Sequence, residues 1–388
     1  MASRPGVRPG PTYVLVNPFP RHRANGVTSY LRNLRLFLRR SGIPVVCISN
    51  DRDLPRREYQ RHVRDALLPR LRTGRVVVEA PELKAPTLLL PPDAAVHVRL
   101  HCPNALVEAG NGWPVQWGEF AEEMEVARTA RVVSSPSHAL LRALDGHLAA
   151  RAVHVYKNPP PPGVLPQLRP GARGRDVAFL GRFMRSKGVD SLVPVLERLP
   201  AGQSVALAGR DADRFAVPSP VRCQVALHGE IAGRARWRFL GEARVSLVLG
   251  RFENCSMTIL ESLAVGTVVV GWRVGGNGEI ASPRLVRLVA LDDCDALVAT
   301  VLQALREPHP DPEEFREAVA RVGADFRAGW RRVWSGLRGG RPVPVYRGMG
   351  CGGRRDREAA ASGRERGGRA PSGGGPPAAL CTAADGPP

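Results

Sequence analysis

The chain has 388 residues, 43% of them hydrophobic, with 56 Lys+Arg against 36 Asp+Glu and a formal net charge of +20. That length suggests two domains and an appendage, and the apolar content excludes a wholly disordered chain. Lys84, Lys157 and Lys187 are the only lysines, so the charge reads as an arginine-biased composition, and nucleic-acid binding is not expected.

Residues 1–11 are a loose polar lead-in without the pattern of a secretory leader. Tyr13–Val16 predicts a strand that stops at Asn17-Pro18. From Val27 the period changes: Leu31, Leu34 and Leu38 repeat at helical spacing, and Gly42 closes the helix. Val45–Ser49, Val76–Val78, Val96–Leu100, Val132–Ser134 and Val153–Tyr156 predict further strands, separated by helix-capable segments such as Glu119–Ala130. Asn158 then leads into four prolines and Gly163, a stiff spacer.

Beyond it the alternation restarts. Val177–Leu180, Ser204–Ala208, Gln224–Leu227, Val245–Leu249, Val268–Val270 and Val286–Val289 predict strands, with helices at Val189–Arg198, Ser256–Val265 and Asp295–Leu305. The fold class is α/β, with two parallel-sheet domains facing across a cleft. The expected boundaries are 1–160 for the first domain, 161–174 for the linker and 175–324 for the second domain. A helix returning to the first domain is expected over 325–340, and a disordered tail over 341–388. That tail holds 11 Gly and 7 Pro and has little apolar periodicity.

Seven scattered cysteines without a CxxC pair indicate neither a disulfide framework nor a zinc site. No apolar stretch approaches the roughly 18 residues of a membrane span, so a cytoplasmic protein is expected. Residues 21–75 carry 14 basic against 4 acidic side chains. That excess suits peripheral contact with the anionic inner face of a membrane, and it equally reads as general surface charge.

Three motifs carry chemistry. Gly181-Arg182 through Lys187-Gly188 follows a strand, where a loop faces the ligand crevice and two cations can hold a diphosphate. Glu253 lies in the loop before a helix that Asn254 or Ser256 caps, and the first-turn N–H groups near Met257 and Thr258 favour an anion. Glu261 lies eight positions after Glu253, so the two carboxylates suit sugar hydroxyls. Gly275-Gly276-Asn277-Gly278-Glu279 reads either as a close backbone approach to a ligand or as a plain turn.

Together these motifs resemble the donor half of family 4 retaining glycosyltransferases, which have the two-domain GT-B fold. The family shows a GR(x)nKG loop, an E-x7-E signature and a GGxxE loop in this order, matched here across residues 176–281. Gly26 resembles the glycine-rich loop near the donor phosphates, with Asn25 in place of its second glycine. His101 resembles the acceptor-side histidine, Ser135-Pro136-Ser137 the Pro-Ser segment, and Asn158-Pro159 the start of the linker. Gly229-Glu230-Ile231 resembles the base-binding loop. Asn254-Cys255 replaces the usual Gly-Phe after the first glutamate.

The resemblance implies transfer of a sugar from a nucleotide diphosphate-sugar to an acceptor, with retention at the anomeric carbon. The acceptor is a glycan, a lipid-linked sugar or a small molecule. His101 and Glu253 would be catalytic. Gly26, Arg182, Lys187, Ile231, Glu253, Asn254, Ser256, Met257, Thr258 and Glu261 would bind the donor, with Glu261 on the ribose. His101 also reads as a buried structural histidine, and His97 competes for its role. No cofactor beyond the donor is expected. The DxD strings Asp51/Asp53 and Asp211/Asp213 read as turn residues, so metal independence is expected. The alternatives are a nucleotide-sugar epimerase or hydrolase on this scaffold, or a non-enzymatic RNA- or lipid-binding scaffold.

Overall fold

A computed structural model describes residues 11–23, 25–72, 76–148, 153–161 and 174–338. The predicted linker at 161–174 falls almost wholly, and the predicted tail at 341–388 wholly, outside the described residues.

The first half runs β1 (Thr12–Asn17), α1 (Gly26–Arg40), β2 (Val45–Ser49), α2 (Arg56–Leu71), β3 (Val76–Pro81), β4 (Val96–Arg99), α3 (Asn104–Asn111), α4 (Trp117–Thr129), β5 (Val132–Ser135), α5 (His138–Ala143) and β6 (Val153–Val155). The second runs β7 (Arg175–Leu180), α6 (Val189–Arg198), β8 (Ser204–Ala208), β9 (Gln224–His228), α7 (Arg234–Gly241), β10 (Ala243–Val248), α8 (Met257–Ala264), β11 (Val268–Trp272), β12 (Val286–Val289), α9 (Cys294–Arg306) and α10 (Pro312–Arg338). The predicted strands and helices recur within a few residues, whereas α2, α3, α5 and α7 carried no separate sequence expectation.

Each half builds one six-stranded parallel sheet, ordered β2-β1-β3-β4-β5-β6 and β9-β8-β7-β10-β11-β12. A parallel sheet needs cover on both faces, and alternation along the strands supplies it. Val14 and Val16 of β1 join Tyr59, Val63 and Leu67 of α2 and Phe120 and Met124 of α4, while Tyr13 and Leu15 join Leu31, Leu34 and Leu38 of α1. In the second sheet Val177, Phe179, Val245 and Leu247 meet α6 and α9, while Ala178, Ala206 and Ala208 let α7 approach closely.

The winding reverses between β1 and β3 in the first sheet and between β7 and β10 in the second. Loops leaving the carboxyl ends of such strand pairs diverge and leave a crevice.

The helix expected over 325–340 is longer and begins at Pro312. Phe315 and Ala318 enter the core of the second half, and Phe326, Trp330, Val333 and Leu337 enter that of the first. One helix therefore belongs to both cores. The basic stretch at 21–75 is partly neutralised: Arg21 pairs with Asp51, Arg23 with Asp53, and Arg56 and Arg57 with Glu122. Among the described residues no helix is long and apolar enough to cross a membrane.

Candidate active site

The loops after β7 and β10 open onto one crevice because those strands flank the reversal. The first carries Arg182 and Lys187, and the second carries Glu253 and leads into α8. Lys187 Nζ lies 2.6 Å from Glu253 Oε1. Arg182 makes no ion pair with a described residue, and burial, then the neighbouring Arg210, lowers its pKa. Ser256, Met257 and Thr258 line the same cleft, so the positive end of α8 faces it. Ser256 stands at the N-cap position, but its side chain makes no capping hydrogen bond.

The cleft holds about 300 Å³ and lies between the halves. Gly26, His101, Arg182, Lys187, Ile231, Glu253, Asn254, Ser256, Met257 and Thr258 all line it. Glu261 is the exception. Its carboxylate is fully buried behind the wall, where Arg236 Nη2 donates to Oε2 at 2.7 Å. Its Oε1 has no hydrogen-bond partner among the described residues, and Arg32 of the opposite half comes within 4.0 Å of it.

Asn254 lines the cleft, but its amide is engaged elsewhere. Nδ2 donates to the His101 carbonyl at 2.6 Å, and Oδ1 accepts from Ser137 Oγ, so this side chain bridges the halves. The glycine loop lies outside the cleft lining. A Cβ at Gly276 would fall 1.8 Å from the Asn254 carbonyl oxygen and 2.6 Å from Ser137 Cβ. The close approach expected toward a ligand is thus made to the Glu253–Asn254 turn. Glu279 then accepts from the Ala139 N–H at 3.0 Å and from Lys157 Nζ at 2.5 Å, both in the first half.

On the opposite wall, the His101 N–H donates to both Glu82 oxygens, at 2.9 and 2.8 Å. Its ring stands edge-on to Tyr30 with centroids 4.8 Å apart, and its buried Nε2 has no hydrogen-bond partner among the described residues. Burial, then the Arg99 charge, pushes its pKa down to about 3, so the ring is neutral at physiological pH. His97 is no rival: it is fully buried, with Nδ1 2.9 Å from Glu79 Oε2 and Nε2 2.7 Å from Ser134 Oγ. Asn25 caps α1, its Oδ1 accepting from the Thr28 N–H at 2.8 Å. In the strings Asp51/Asp53 and Asp211/Asp213, Asp51, Asp53 and Asp211 pair with arginines.

Arg23, Asn158, Arg210 and Arg236 are among the lining residues that were not assigned to the site from the sequence. Asn158 holds the halves in register, accepting from Arg99 Nη2 at 2.9 Å and donating to the Cys255 carbonyl at 3.3 Å. Arg210 follows the carboxyl end of β8, which was the available signal. Arg236 sits on α7, a helix whose apolar periodicity is too weak to announce it.

Residues 174–307 match the family model for glycosyl transferases group 1. An alpha-maltose-1-phosphate synthase of Mycolicibacterium smegmatis is 27% identical over 236 residues, which span 54% of this chain and 61% of that protein. The alignment thus leaves more than a third of that relative unmatched. Among solved structures, a sucrose-phosphate synthase from Thermosynechococcus elongatus superposes with a TM-score of 0.66 at 17% identity, covering 84% of this chain and 99% of that one. Anabaena HepE, solved in complex with UDP-glucose, gives 0.59 at 14% identity over 84% and 99%. The UDP-forming alpha,alpha-trehalose-phosphate synthase of Burkholderia xenovorans, solved in complex with glucose-6-phosphate, gives 0.61 at 14% over 84% and 100%. The superpositions show a shared GT-B arrangement, and within it residues 174–307 are similar to the glycosyl transferases group 1 family.

Proposed function

We propose that the cleft transfers a sugar from a nucleotide diphosphate-sugar to an acceptor hydroxyl with retention of anomeric configuration. The observation that carries this reading is the convergence of Arg182, Lys187 and the amino end of α8 on one wall. A departing diphosphate needs positive potential fixed before the reaction, and that wall supplies it. The UDP-glucose complex of the structurally similar HepE supports a nucleotide-sugar donor.

Lys187 neutralises Glu253. A donor diphosphate would take over the ammonium and release the carboxylate toward the hydroxyls of the transferred sugar. Neutral His101 presents an unpartnered ring nitrogen from the acceptor side and would accept or donate one hydrogen bond there. Glu261 acts from behind the wall in this reading, holding Arg236, which lines the cleft and would meet the nucleotide. Fixed cations take the place of a metal in this reading, so transfer is expected to continue in EDTA.

A thermal-shift panel of nucleotide sugars tests the donor, since a ligand that binds only the folded state raises Tm. Product mass and the anomeric NMR coupling then test transfer and stereochemistry. Inverted product, or a Lys187→Ala/Glu253→Ala variant as active as the wild type, would remove this reading.

A further inference from the structure

Away from the cleft, one face of the first half carries charge that nothing offsets. Helix α1 has no acidic residue, and neither has α10 after Asp325. Leu31, Leu34 and Leu38 turn one side of α1 into the core, which leaves Leu36, Arg39 and Arg40 exposed and Arg35 half-buried on the other. On α10, Phe326, Trp330, Val333 and Leu337 take the core side. Arg327, Arg331 and Arg338 recur at helical spacing and form an exposed stripe.

The two helices pack against each other, so these arginines share a face. The Phe37 ring of α1 stands edge-on to Phe326 and to Trp330 of α10, with centroids 5.1 Å apart in both pairs. Trp330 stacks on Trp334 at 5.4 Å, and Arg338 lies 5.8 Å over the Trp334 ring. Arg35, Arg39, Arg40, Arg327, Arg331 and Arg338 make no ion pair with a described residue, whereas Arg21, Arg23, Arg56 and Arg57 of the same half each pair with a carboxylate. The basic excess of residues 21–75 is thus joined, on α1, by arginines from the far end of the chain. Apolar groups lie among them: Leu36 is exposed, and Phe37 and Trp334 are half-buried.

We propose that the α1/α10 face docks the protein on an anionic lipid membrane. Each basic side chain brought near such a surface tightens binding by about fivefold. Leucine and tryptophan side chains enter the headgroup layer, so Leu36 and Trp334 add apolar contact that a nucleic-acid phosphate backbone would not use. Arg39 and Arg40 lie in the last turn of α1, whereas Gly26 in its first turn lines the cleft. A helix of 15 residues sets about 20 Å between the two. Docking at one end of α1 therefore leaves the cleft at its other end open. The proposal stands apart from the proposed transfer and does not depend on it.

The experiment sediments the full chain with vesicles of phosphatidylcholine alone, and with vesicles in which about one-third of the lipid is phosphatidylglycerol. Expected is at least about tenfold tighter binding to the anionic vesicles, lost at about 0.5 M salt. The triple variant Arg39→Gln/Arg40→Gln/Arg331→Gln should lose that advantage with Tm unchanged. Arg61→Gln/Arg222→Gln/Arg234→Gln removes the same charge from exposed positions on α2 and in the second half, and should keep it. Leu36→Ser should weaken binding by about threefold or more at constant charge. No preference for the anionic vesicles, or an equal loss in the two triple variants, overturns the docking face. Binding to a DNA or RNA duplex that the first triple variant abolishes, without binding to vesicles, overturns the membrane and gives the face to nucleic acid.

Discussion

The two sheets have six parallel strands each, yet their interiors differ in kind. The second is built from Val, Leu, Ile and Ala, and its charged groups sit largely at strand ends and on helices. The first carries ionisable groups through its middle. Fully buried Glu79 accepts from Tyr13 at 2.5 Å and Tyr30 at 2.6 Å and meets His97, while Arg99 stacks 4.2 Å from the Tyr156 ring. From Arg99 the chain of contacts runs through Asn158 to the carbonyl just before α8. Charge in the second half thus gathers largely at the cleft wall and the surface, whereas charge in the first sheet holds the other half in place.

That contrast predicts different losses. Lys187→Ala should cost roughly a hundredfold or more in kcat/KM with little change in Tm, because the ammonium is one-third exposed and packs no core. Arg99→Met should do the reverse. Removing a fully buried guanidinium from three oxygen acceptors is expected to cost about 3 kcal/mol in urea unfolding, with lowered activity following from a displaced α8. A stable but inactive Arg99→Met would break the comparison.

Gly329→Ala comes next. The added Cβ would fall 2.2 Å from the Tyr156 ring, so α10 must shift outward, at about 2 kcal/mol. The loss should appear in unfolding measurements, with the affinity for UDP retained.

The smallest effect depends on pH. Burial, then the nearby Glu123, pushes Glu82 up to about 8. The folded state therefore keeps a proton that the unfolded chain loses near the ordinary carboxylate value of 4.5. The favourable contribution is complete in acid and is lost as pH rises toward 8. Tm should decline over that window in the wild type and decline less in Glu82→Gln. Equal slopes would place Glu82 outside the titrating set.

The same contrast explains what was legible in the sequence. Strands announced themselves by short β-branched runs, and the donor wall by motifs at strand ends, where local pattern and ligand face coincide. Glu261 was read as a cleft residue from its spacing to Glu253, because helical phase gives direction but not what lies between; Arg236 does. The glycine loop was open to two readings because a close approach looks the same whether its partner is a ligand or, as here, the backbone of Asn254. The Glu79–His97–Arg99 set was invisible as a network. Alternation places His97 and Arg99 on one face, but Tyr30 and Tyr156 reach them only through tertiary packing. The start of α10 was missed because Glu313, Glu314, Arg316 and Glu317 dilute its apolar stripe.

The sharing of α10 has a consequence for folding order. Tyr13 and Leu15 are made more than three hundred residues before Trp330 and Val333, which pack in the same core. The first sheet can pair its strands as it is made, but one face, covered in part by α1, lacks its α10 side chains until the second half has been synthesised. The two halves then close in a single cooperative event, and calorimetry of the finished protein should record one transition rather than two.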